Sequence, residues 1–260
     1  MAACPSCTST ARSRDSGFVT NDLPRKLRGP IRGVLFDATG TLFDLSESVG
    51  TVYSRMARPH GVDLPAWRLD DAFRRITSSA PPRVFPNCPA EEVFELEKEW
   101  WRKVVRSTFL AADSTVQFDD GAAFFASVFG YYATAAAWTL RAGTRSCLAR
   151  LREMQIATGV VSNFDQRLPI IMQATNIAEF LDTVVTPACC GSEKPDAHIF
   201  RTALAEINLP PEQVIFIGDH PEKDRAAARA LGMQSSDPED YATLDVFAAS
   251  IEQANLEAAT

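Results

Sequence analysis

A short apolar stretch that stops at an aspartate constrains the fold of this chain more than any other feature. Residues 31–36 read Ile-Arg-Gly-Val-Leu-Phe, and the run ends at Asp37, which a glycine-containing turn follows. Such a run is typical of a buried strand in a parallel sheet. Ligands of open α/β sheets bind at the carboxyl ends of strands, where an aspartate can act as a nucleophile or hold a cation. Such an aspartate can also merely cap a turn. Residues later in the chain must decide between a functional and a turn-capping Asp37.

Composition restricts the class of protein. The 260 residues fit one large domain, or one domain with an insertion, and 46% hydrophobic residues suffice for a sizeable core. The net charge of −7 argues against a nucleic-acid partner, because a phosphate backbone needs a basic face. No apolar run approaches the roughly 20 residues that a membrane-spanning helix requires. We therefore expect a cytoplasmic protein without nucleic-acid or membrane partners; the sequence leaves its oligomeric state open.

The first 30 residues show no periodic apolar pattern, which predicts a disordered N-terminal extension. They lack the apolar region of a secretory signal. Their arginines and serines leave mitochondrial or other organelle targeting as the alternative to a cytoplasmic location. Cys4 and Cys7 have the spacing of a metal or redox pair, but no second pair lies at a matching distance, so free thiols are the preferred interpretation.

Helical periodicity replaces the strand pattern from about residue 47. Apolar residues recur at helical spacing in four segments up to about residue 139, and their aromatic stripes indicate a helix core rather than a cofactor site. Helices and strands then alternate, with strands expected at residues 156–161, 184–185 and 214–217. This order predicts an α/β fold: a doubly wound, Rossmann-like parallel sheet from residues 31–46 and 140–252, with residues 47–139 inserted as a helical-bundle cap.

Polar side chains follow the predicted strands. Asp37, Ser162 and Asp219 come directly at strand ends, and Lys194 and Asp224 lie just downstream of strand ends. A carboxylate can take a phosphoryl group, a hydroxyl and an ammonium can hold phosphate oxygens, and further carboxylates can recruit Mg²⁺. Each residue has an ordinary alternative as a turn, cap or surface group. Together, in this order at strand ends, they predict an active site.

These segments resemble the four motifs of the haloacid dehalogenase-like hydrolase superfamily. In chain order the motifs are Asp37-Ala-Thr-Gly-Thr-Leu-Phe, Val-Val-Ser162-Asn163, Lys194-Pro with Ile199-Phe200, and Gly218-Asp-His-Pro-Glu-Lys-Asp224. The helical insertion lies where the C1 group of the superfamily carries its cap. Within that group, a further set of residues is similar to the branch named haloacid dehalogenase-like hydrolase domain-containing protein 3: Pro86-Asn87, Trp100-Trp101-Arg-Lys-Val-Val, Thr108-Phe109 and Ser162-Asn-Phe-Asp165.

The resemblance implies roles for individual residues. Asp37 would be the nucleophile, and Lys194 would stabilise both the nucleophile and the phosphate. Mg²⁺, the implied cofactor, would be held by Asp37, the main-chain carbonyl of Thr39, Asp219 and Asp224, and the phosphate would be contacted by Thr41, Ser162, Asn163 and Lys194. His220 is expected to lie at the surface or to contact other site residues only.

Thr39 departs from the pattern of the superfamily. Active phosphatases usually carry a second aspartate there, which serves as general acid and then as base, and such help is worth about 10²–10⁴ in rate. A threonine at this place resembles the P-type ATPases. The superfamily's dehalogenases also lack the second aspartate, but they need no cation and do not usually keep the acidic motif that ends at Asp224.

The resulting hypothesis is a Mg²⁺-dependent phosphatase of a small phosphorylated metabolite, acting through an aspartyl phosphate and slowed by Thr39. One alternative is a catalytically deficient protein that binds Mg²⁺ and a phosphorylated ligand, or a protein partner through its cap. The other is a metal-independent dehalogenase in which Asp37 attacks carbon. The sequence does not identify the substrate.

Overall fold

The computed structural model describes residues 26–86 and 88–260. The expected first strand forms as β1 (Gly33–Phe36), and all four of its residues are buried. The remaining strands are β2 (Phe43–Leu45), β3 (Trp138–Leu140), β4 (Ala157–Val161), β5 (Thr183–Val185), β6 (Val214–Ile217) and β7 (Gln234–Ser236).

The described residues also form ten α-helices. Those before β4 are α1 (Val49–Ala57), α2 (Ala66–Ser79), α3 (Ala90–Ala112), α4 (Gly121–Tyr131) and α5 (Thr144–Glu153). Those after β4 are α6 (Leu168–Ala174), α7 (Pro187–Cys190), α8 (Ala197–Glu206), α9 (Ala227–Ala230) and α10 (Leu244–Ala258). None of these helices is long and apolar enough to cross a membrane, as far as the described residues extend.

Five strands form a parallel sheet with β1 at its centre. The strand order within the described residues is β5-β4-β1-β6-β7, so the chain adds strands first on one side of β1 and then on the other. Phe36, the last residue of β1, lies opposite Val160 of β4 and Ile217 of β6. These three strands therefore end at nearly the same level, and the residues after them meet at one edge. The predicted doubly wound α/β fold is confirmed.

Apolar side chains cover both faces of this sheet. Cys147, Leu148 and Leu151 of α5 pack with residues of α6 and α10 on one face. Residues of α8 and α9, among them Phe200 and Ala228, pack on the other. Because β1 is buried between the two layers, it can be apolar throughout, which explains why its sequence shows no alternation.

The helices α1 to α4 share a separate apolar core. Tyr53, Phe109 and Phe124 are among its largest buried side chains, and their rings contact one another, with Tyr53 and Phe109 stacked 5.8 Å apart. The inserted segment is joined to the sheet through β2 and β3, which pair antiparallel. The sequence analysis did not predict these two strands, because three residues are too few to show a period of two.

The described residues include five that the sequence analysis assigns to the disordered extension. Residues 26–30 belong to the predicted disordered extension, yet they lie against β7 and α10. The backbone N–H and carbonyl of Arg28 bond the Gln234 side chain, and those of Ile31 bond the Asn255 side chain. Such contacts leave no hydrophobic pattern in the sequence. Cys4, Cys7 and the rest of the extension lie outside the described residues.

Candidate active site

Asp37 stands at the carboxyl end of the central strand. Its backbone N–H donates to the Ile217 carbonyl at 2.9 Å, which fixes it beside the end of β6. The turn that follows requires glycine at position 40, where φ is +82° and a Cβ would come within 2.7 Å of the Asp219 carboxylate. The tight turn thus allows Asp219, which follows β6, to approach Asp37.

Lys194 connects two of the predicted acidic residues. Its Nζ donates hydrogen bonds of 2.6 Å to Oδ1 of Asp37 and to Oδ1 of Asp224, and the lysine side chain is only 4% exposed. Burial alone would lower the pKa of Lys194, but the two carboxylates outweigh it and hold that pKa above its ordinary value. The alternative of a solvated surface lysine is therefore wrong, and Lys194 stays charged.

The three predicted carboxylates form one acidic cluster. An oxygen from each of Asp37, Asp219 and Asp224 lies within 4.8 Å of the others. Burial and then the negative charges of Asp37 and Asp224 raise the pKa of Asp219. Among the described residues, the Asp219 carboxylate joins no ion pair, so three carboxylates share one ammonium. Closely spaced carboxylate oxygens with excess negative charge suit a hard divalent cation such as Mg²⁺.

Asp224 is held rigidly by its own loop. It lies on a π-helical turn, Pro221–Ala226, and it is 1% exposed, which excludes the alternative of a surface group. The backbone N–H of His220 donates to its Oδ2 at 3.0 Å. The His220 ring in turn accepts, through Nδ1, the backbone N–H groups of Glu222 and Lys223. His220 therefore caps the turn that carries Asp224.

Asn163 supports Lys194 more directly than the sequence indicates. Its Oδ1 accepts the Lys194 backbone N–H at 2.6 Å, and its Nδ2 donates to the Lys194 carbonyl at 2.8 Å. The side chain predicted to contact phosphate is thus engaged in fixing the backbone of the lysine. Ser162 differs from Asn163. It lines the cavity, and its hydroxyl forms no hydrogen bond with another residue in the described part of the chain.

Thr41 lies apart from the other predicted phosphate contacts. Its side chain is fully buried, does not line the cavity, and has an Oγ1 without a hydrogen-bond partner among the described residues. The contact of its hydroxyl with phosphate stays a prediction. Thr39, in contrast, is exposed and lines the cavity.

The predicted residues surround an open cavity of about 230 Å³ at the edge of the sheet. Asp37, Thr39, Ser162, Lys194 and the two later aspartates line it, together with Asn163, Phe164, His220 and Lys223. Its walls carry both signs of charge, so one region can hold a cation while the Lys194 and Ser162 side can hold an anion.

Two arginines that the sequence analysis missed hold the loops of the site. Arg225 donates to the carbonyls of Gly218 (2.9 Å) and Asp219 (2.6 Å) and pairs with Asp237 at 2.7 Å. Arg141 donates to the carbonyl of Gly40. Arg225 acts on its own loop and Arg141 on a turn far away in the chain, and a lone arginine in a sequence gives no signal of either contact.

A second buried charged cluster joins the helical insertion to the sheet domain. Asp165 and Arg167 form a two-pronged ion pair with bonds of 2.8 and 2.6 Å, and both side chains are at most 5% exposed. Trp101 of α3 donates from its indole to Asp165 at 2.6 Å, and Arg167 donates to the Phe129 carbonyl of α4. Burial would raise the pKa of Asp165, but the hydrogen bonds and charge of Arg167 hold it below its ordinary value.

Glu97 and Arg83 complete this contact. Glu97 of α3 accepts the Gln166 backbone N–H at 3.0 Å, is 1% exposed, and has a second oxygen without a partner among the described residues. Burial raises the pKa of Glu97 to about 7. Arg83 donates to the Asn163 carbonyl at 2.7 Å, so the insertion contacts the residue that holds Lys194. Only Trp101 and Asp165 had a signal in the sequence, as members of the branch motif.

A family model described as haloacid dehalogenase-like hydrolase matches residues 31–232 of this chain. The bovine (Bos taurus) "Haloacid dehalogenase-like hydrolase domain-containing protein 3" is 32% identical over 206 residues, which cover 79% of this chain and 80% of that protein. The Drosophila melanogaster "Rhythmically expressed gene 2 protein" is 29% identical over 213 residues, covering 79% and 82%. The predicted superfamily and branch resemblance are confirmed.

Solved structures share the fold at low identity. An L-2-haloacid dehalogenase superposes with a TM-score of 0.60 at 22% identity, covering 79% of this chain and 83% of that one. A HAD phosphatase from Thermococcus onnurineus superposes with a TM-score of 0.55 at 17% identity, covering 79% of this chain and 85% of that one. A HAD-hydrolase from Bacillus subtilis bound to magnesium superposes with a TM-score of 0.59 at 14% identity, covering 80% of this chain and 88% of that one. The fold thus accompanies more than one chemistry, whereas the matched family model and relatives show that the chain belongs to the haloacid dehalogenase-like hydrolase family.

Proposed function

We propose that this hydrolase is a Mg²⁺-dependent phosphatase that acts on a small phosphorylated metabolite through an aspartyl phosphate. The observation that carries the proposal is the imbalance of charge around Asp37: three carboxylates meet one ammonium. A bound Mg²⁺ would supply the missing positive charge and let an anionic nucleophile approach an anionic phosphate. Asp37, Asp219 and Asp224 would hold it, with the Thr39 carbonyl as a further ligand.

The residues of the chain suit such a reaction. Lys194 holds Oδ1 of Asp37 and leaves Oδ2 available for attack. In the first step this oxygen bonds phosphorus, the bond between phosphorus and the ester oxygen breaks, and the alkoxide takes a proton from water. In the second step water attacks phosphorus, and inorganic phosphate, a proton and the Asp37 carboxylate are released. Lys194 and the Ser162 hydroxyl would hold the phosphate oxygens during both steps.

Thr39 favours slow turnover. It occupies the cavity wall two residues after the nucleophile, where a carboxyl group would reach the leaving oxygen, but a threonine hydroxyl does not donate its proton near neutral pH. Good leaving groups should therefore be hydrolysed faster than alkoxides. The same observation supports the second candidate, a protein that binds Mg²⁺ and a phosphorylated ligand with little turnover.

The acidic cluster disfavours the dehalogenase alternative. Attack of Asp37 on a carbon–halogen bond expels a halide, and two further carboxylates beside the nucleophile would repel that anion. A dehalogenase gains nothing from their charge, whereas a cation-dependent phosphatase requires it.

Phosphate release from acetyl phosphate and p-nitrophenyl phosphate, with Mg²⁺ and with chelator, tests the proposal. We expect release with Mg²⁺, little with chelator, and a phosphoryl adduct on Asp37 in acid-quenched samples analysed by mass spectrometry. Ligand binding without release would support the second candidate. Release of halide from 2-haloacids at equal rates with chelator would contradict both.

A further inference from the structure

A second cavity adjoins the catalytic one, between the helical insertion and the sheet domain. Its volume is about 120 Å³, and its walls are apolar and largely aromatic, with side chains from α1, α3 and α4 facing Trp138 and Phe164. Of the described residues that line it, Arg167 alone is charged, and Asp165 neutralises that charge at 2.6 Å. The cavity therefore has no free charge to offer a ligand.

Phe164 links the two cavities. It follows Ser162 and Asn163 in the loop after β4, and it lines both the catalytic cavity and the aromatic one. Its ring packs edge-on against Trp138, with centroids 5.5 Å apart. Phe164 is thus the residue that the two cavities share, and a ligand with its phosphate beside Lys194 would reach the aromatic cavity past this ring.

Tyr132 indicates that this space is more than a packing defect. This residue lines the cavity, and its hydroxyl is buried without a hydrogen-bond partner among the described residues. An unpaired buried hydroxyl costs stability, and native proteins usually satisfy such groups with a protein atom, a water molecule or a ligand. Burial raises the pKa of Tyr132, so the hydroxyl stays protonated and available as a donor.

We propose that the aromatic cavity holds the organic group of the substrate, which is the phosphate ester of a small apolar alcohol with at most one hydrogen-bonding atom. This inference rests on the proposed phosphatase function. A dry cavity of about 150 Å³ accommodates benzene, so the present one suits a branched alkyl or a tightly packed aryl group. Sugar and nucleoside phosphates are excluded, because several hydroxyls would be buried here without partners.

The first test compares two esters of nearly the same shape on the full chain with Mg²⁺. 2-Methylbutyl phosphate and glycerol 3-phosphate differ by methyl groups in place of hydroxyls. We expect kcat/KM at least tenfold higher for the methylbutyl ester, although its alcohol is the poorer leaving group. Equal values, or a preference for glycerol phosphate, would overturn the inference.

Acetyl phosphate separates this inference from the proposed function, because it has no group large enough to fill the cavity. Release from acetyl phosphate without a preference for the methylbutyl ester overturns the inference alone. Absence of release from every phosphate overturns both proposals.

A matched pair of variants adds an independent test. Val128 is buried in the cavity wall and Val246 is an exposed residue of α10, so Val128→Phe fills the cavity while Val246→Phe adds the same ring at the surface. We expect Val128→Phe to lower the ratio of kcat/KM for methylbutyl phosphate over acetyl phosphate at least tenfold, and Val246→Phe to leave it unchanged. Thermal melting verifies that both variants fold. The same ratio of kcat/KM values in the two folded variants would contradict the proposal. If Val128→Phe does not fold, the comparison of 2-methylbutyl phosphate with glycerol 3-phosphate decides.

Discussion

The molecule contains two clusters of charge that are built from the same kinds of group but balanced differently, and one of them, at the edge of the sheet, includes an exposed residue, Asp219. At the edge of the sheet, Lys194 forms ion pairs with Asp37 and Asp224. A third carboxylate, Asp219, lies beside them without an ion-pair partner among the described residues. Below the helical insertion, Asp165 and Arg167 match each other in charge and geometry. One cluster therefore carries excess negative charge, whereas the other is close to neutral.

This difference separates a site that awaits a ligand from one that holds structure. A buried charge is tolerated when a partner neutralises it, as Arg167 does for Asp165. The unpaired carboxylate of Asp219 is exposed to solvent, so its charge remains available to a bound cation. The pKa of Asp219 is raised by burial and by its acidic neighbours, whereas the pKa of Asp165 is lowered by Arg167. The pKa values of the two aspartates thus shift in opposite directions, although both lie in polar surroundings. The balance of charge around each aspartate predicts which one is functional.

The largest effect is expected from Asp37→Asn. The amide is nearly isosteric but a poor nucleophile, so the rate of phosphate release should fall by more than about 10³-fold. Lys194 keeps its bond to Asp224, so melting should change little. Asp63→Asn, at an exposed position of the insertion, is the control and should retain full activity. Phosphate release at the wild-type rate from Asp37→Asn would end the aspartyl-phosphate mechanism.

Asp165→Asn and Asp219→Asn apply one chemical change to the two clusters. Asp165→Asn leaves Arg167 buried without its counter-charge, so the free energy of unfolding should fall by about 3–5 kcal/mol. Asp219→Asn removes a charge that its neighbours repel, so stability should not fall, while Mg²⁺ affinity should. Urea unfolding and calorimetric Mg²⁺ titration measure the two quantities. Equal losses of stability would show that charge balance does not distinguish the clusters.

Glu97→Gln tests the part of the structural cluster that titrates. Because burial raises the pKa of Glu97 to about 7, its contribution to stability is fully present below pH 4.5 and is lost as the pH rises through 7. At about 1.4 kcal/mol per pKa unit the loss is roughly 3 kcal/mol, and the glutamine variant should not show it. Urea unfolding between pH 5 and pH 8 measures this dependence. Glu95→Gln, exposed on the same helix, should keep the wild-type slope; a wild-type slope in Glu97→Gln would contradict the assignment.

The smallest effect is expected from Thr39→Asp. A carboxyl group here would lie near the acidic cluster, whose charge raises its pKa toward the range of a general acid. Alkyl phosphates, which leave as poor alkoxides, should gain roughly tenfold in kcat/KM, and aryl phosphates less. Thr39→Asn matches the shape without the proton and should show no gain. Equal gains for both kinds of ester would refute the proton-donor role.

The sequence allowed the sheet and most of the site to be predicted, because strand ends leave a local signal. Asp37, Ser162 and Asp219 each follow an apolar run, and parallel strands must end at a common edge. Asn163 and Thr41 show where such reasoning stops. A strand end does not reveal that the Asn163 amide bonds the Lys194 backbone or that the Thr41 hydroxyl is buried without a hydrogen-bond partner among the described residues.

Contacts that depend on tertiary packing leave no pattern in the sequence from which they could be predicted. Arg225 bonds the backbone carbonyls of its own loop, and Arg141 bonds that of Gly40 far away in the chain. Gln234 and Asn255 bond the chain near Arg28 without any apolar periodicity. The aromatic cavity was equally hidden. Its rings were correctly expected in a helix core, but only the packed structure shows that this core leaves a space beside Phe164.

The short pairing of β2 with β3 has a consequence for how proteins of this kind diversify. Because Phe43 lies opposite Leu140, the long helical segment leaves and re-enters the sheet domain at a single point. A duplication or replacement between these strands would change the segment that contributes most walls of the aromatic cavity without altering the register of β1, β4 and β6. Under the substrate proposal made above, exchange of this one portion of the gene would change the substrate preference and leave the carboxylates at the strand ends in place.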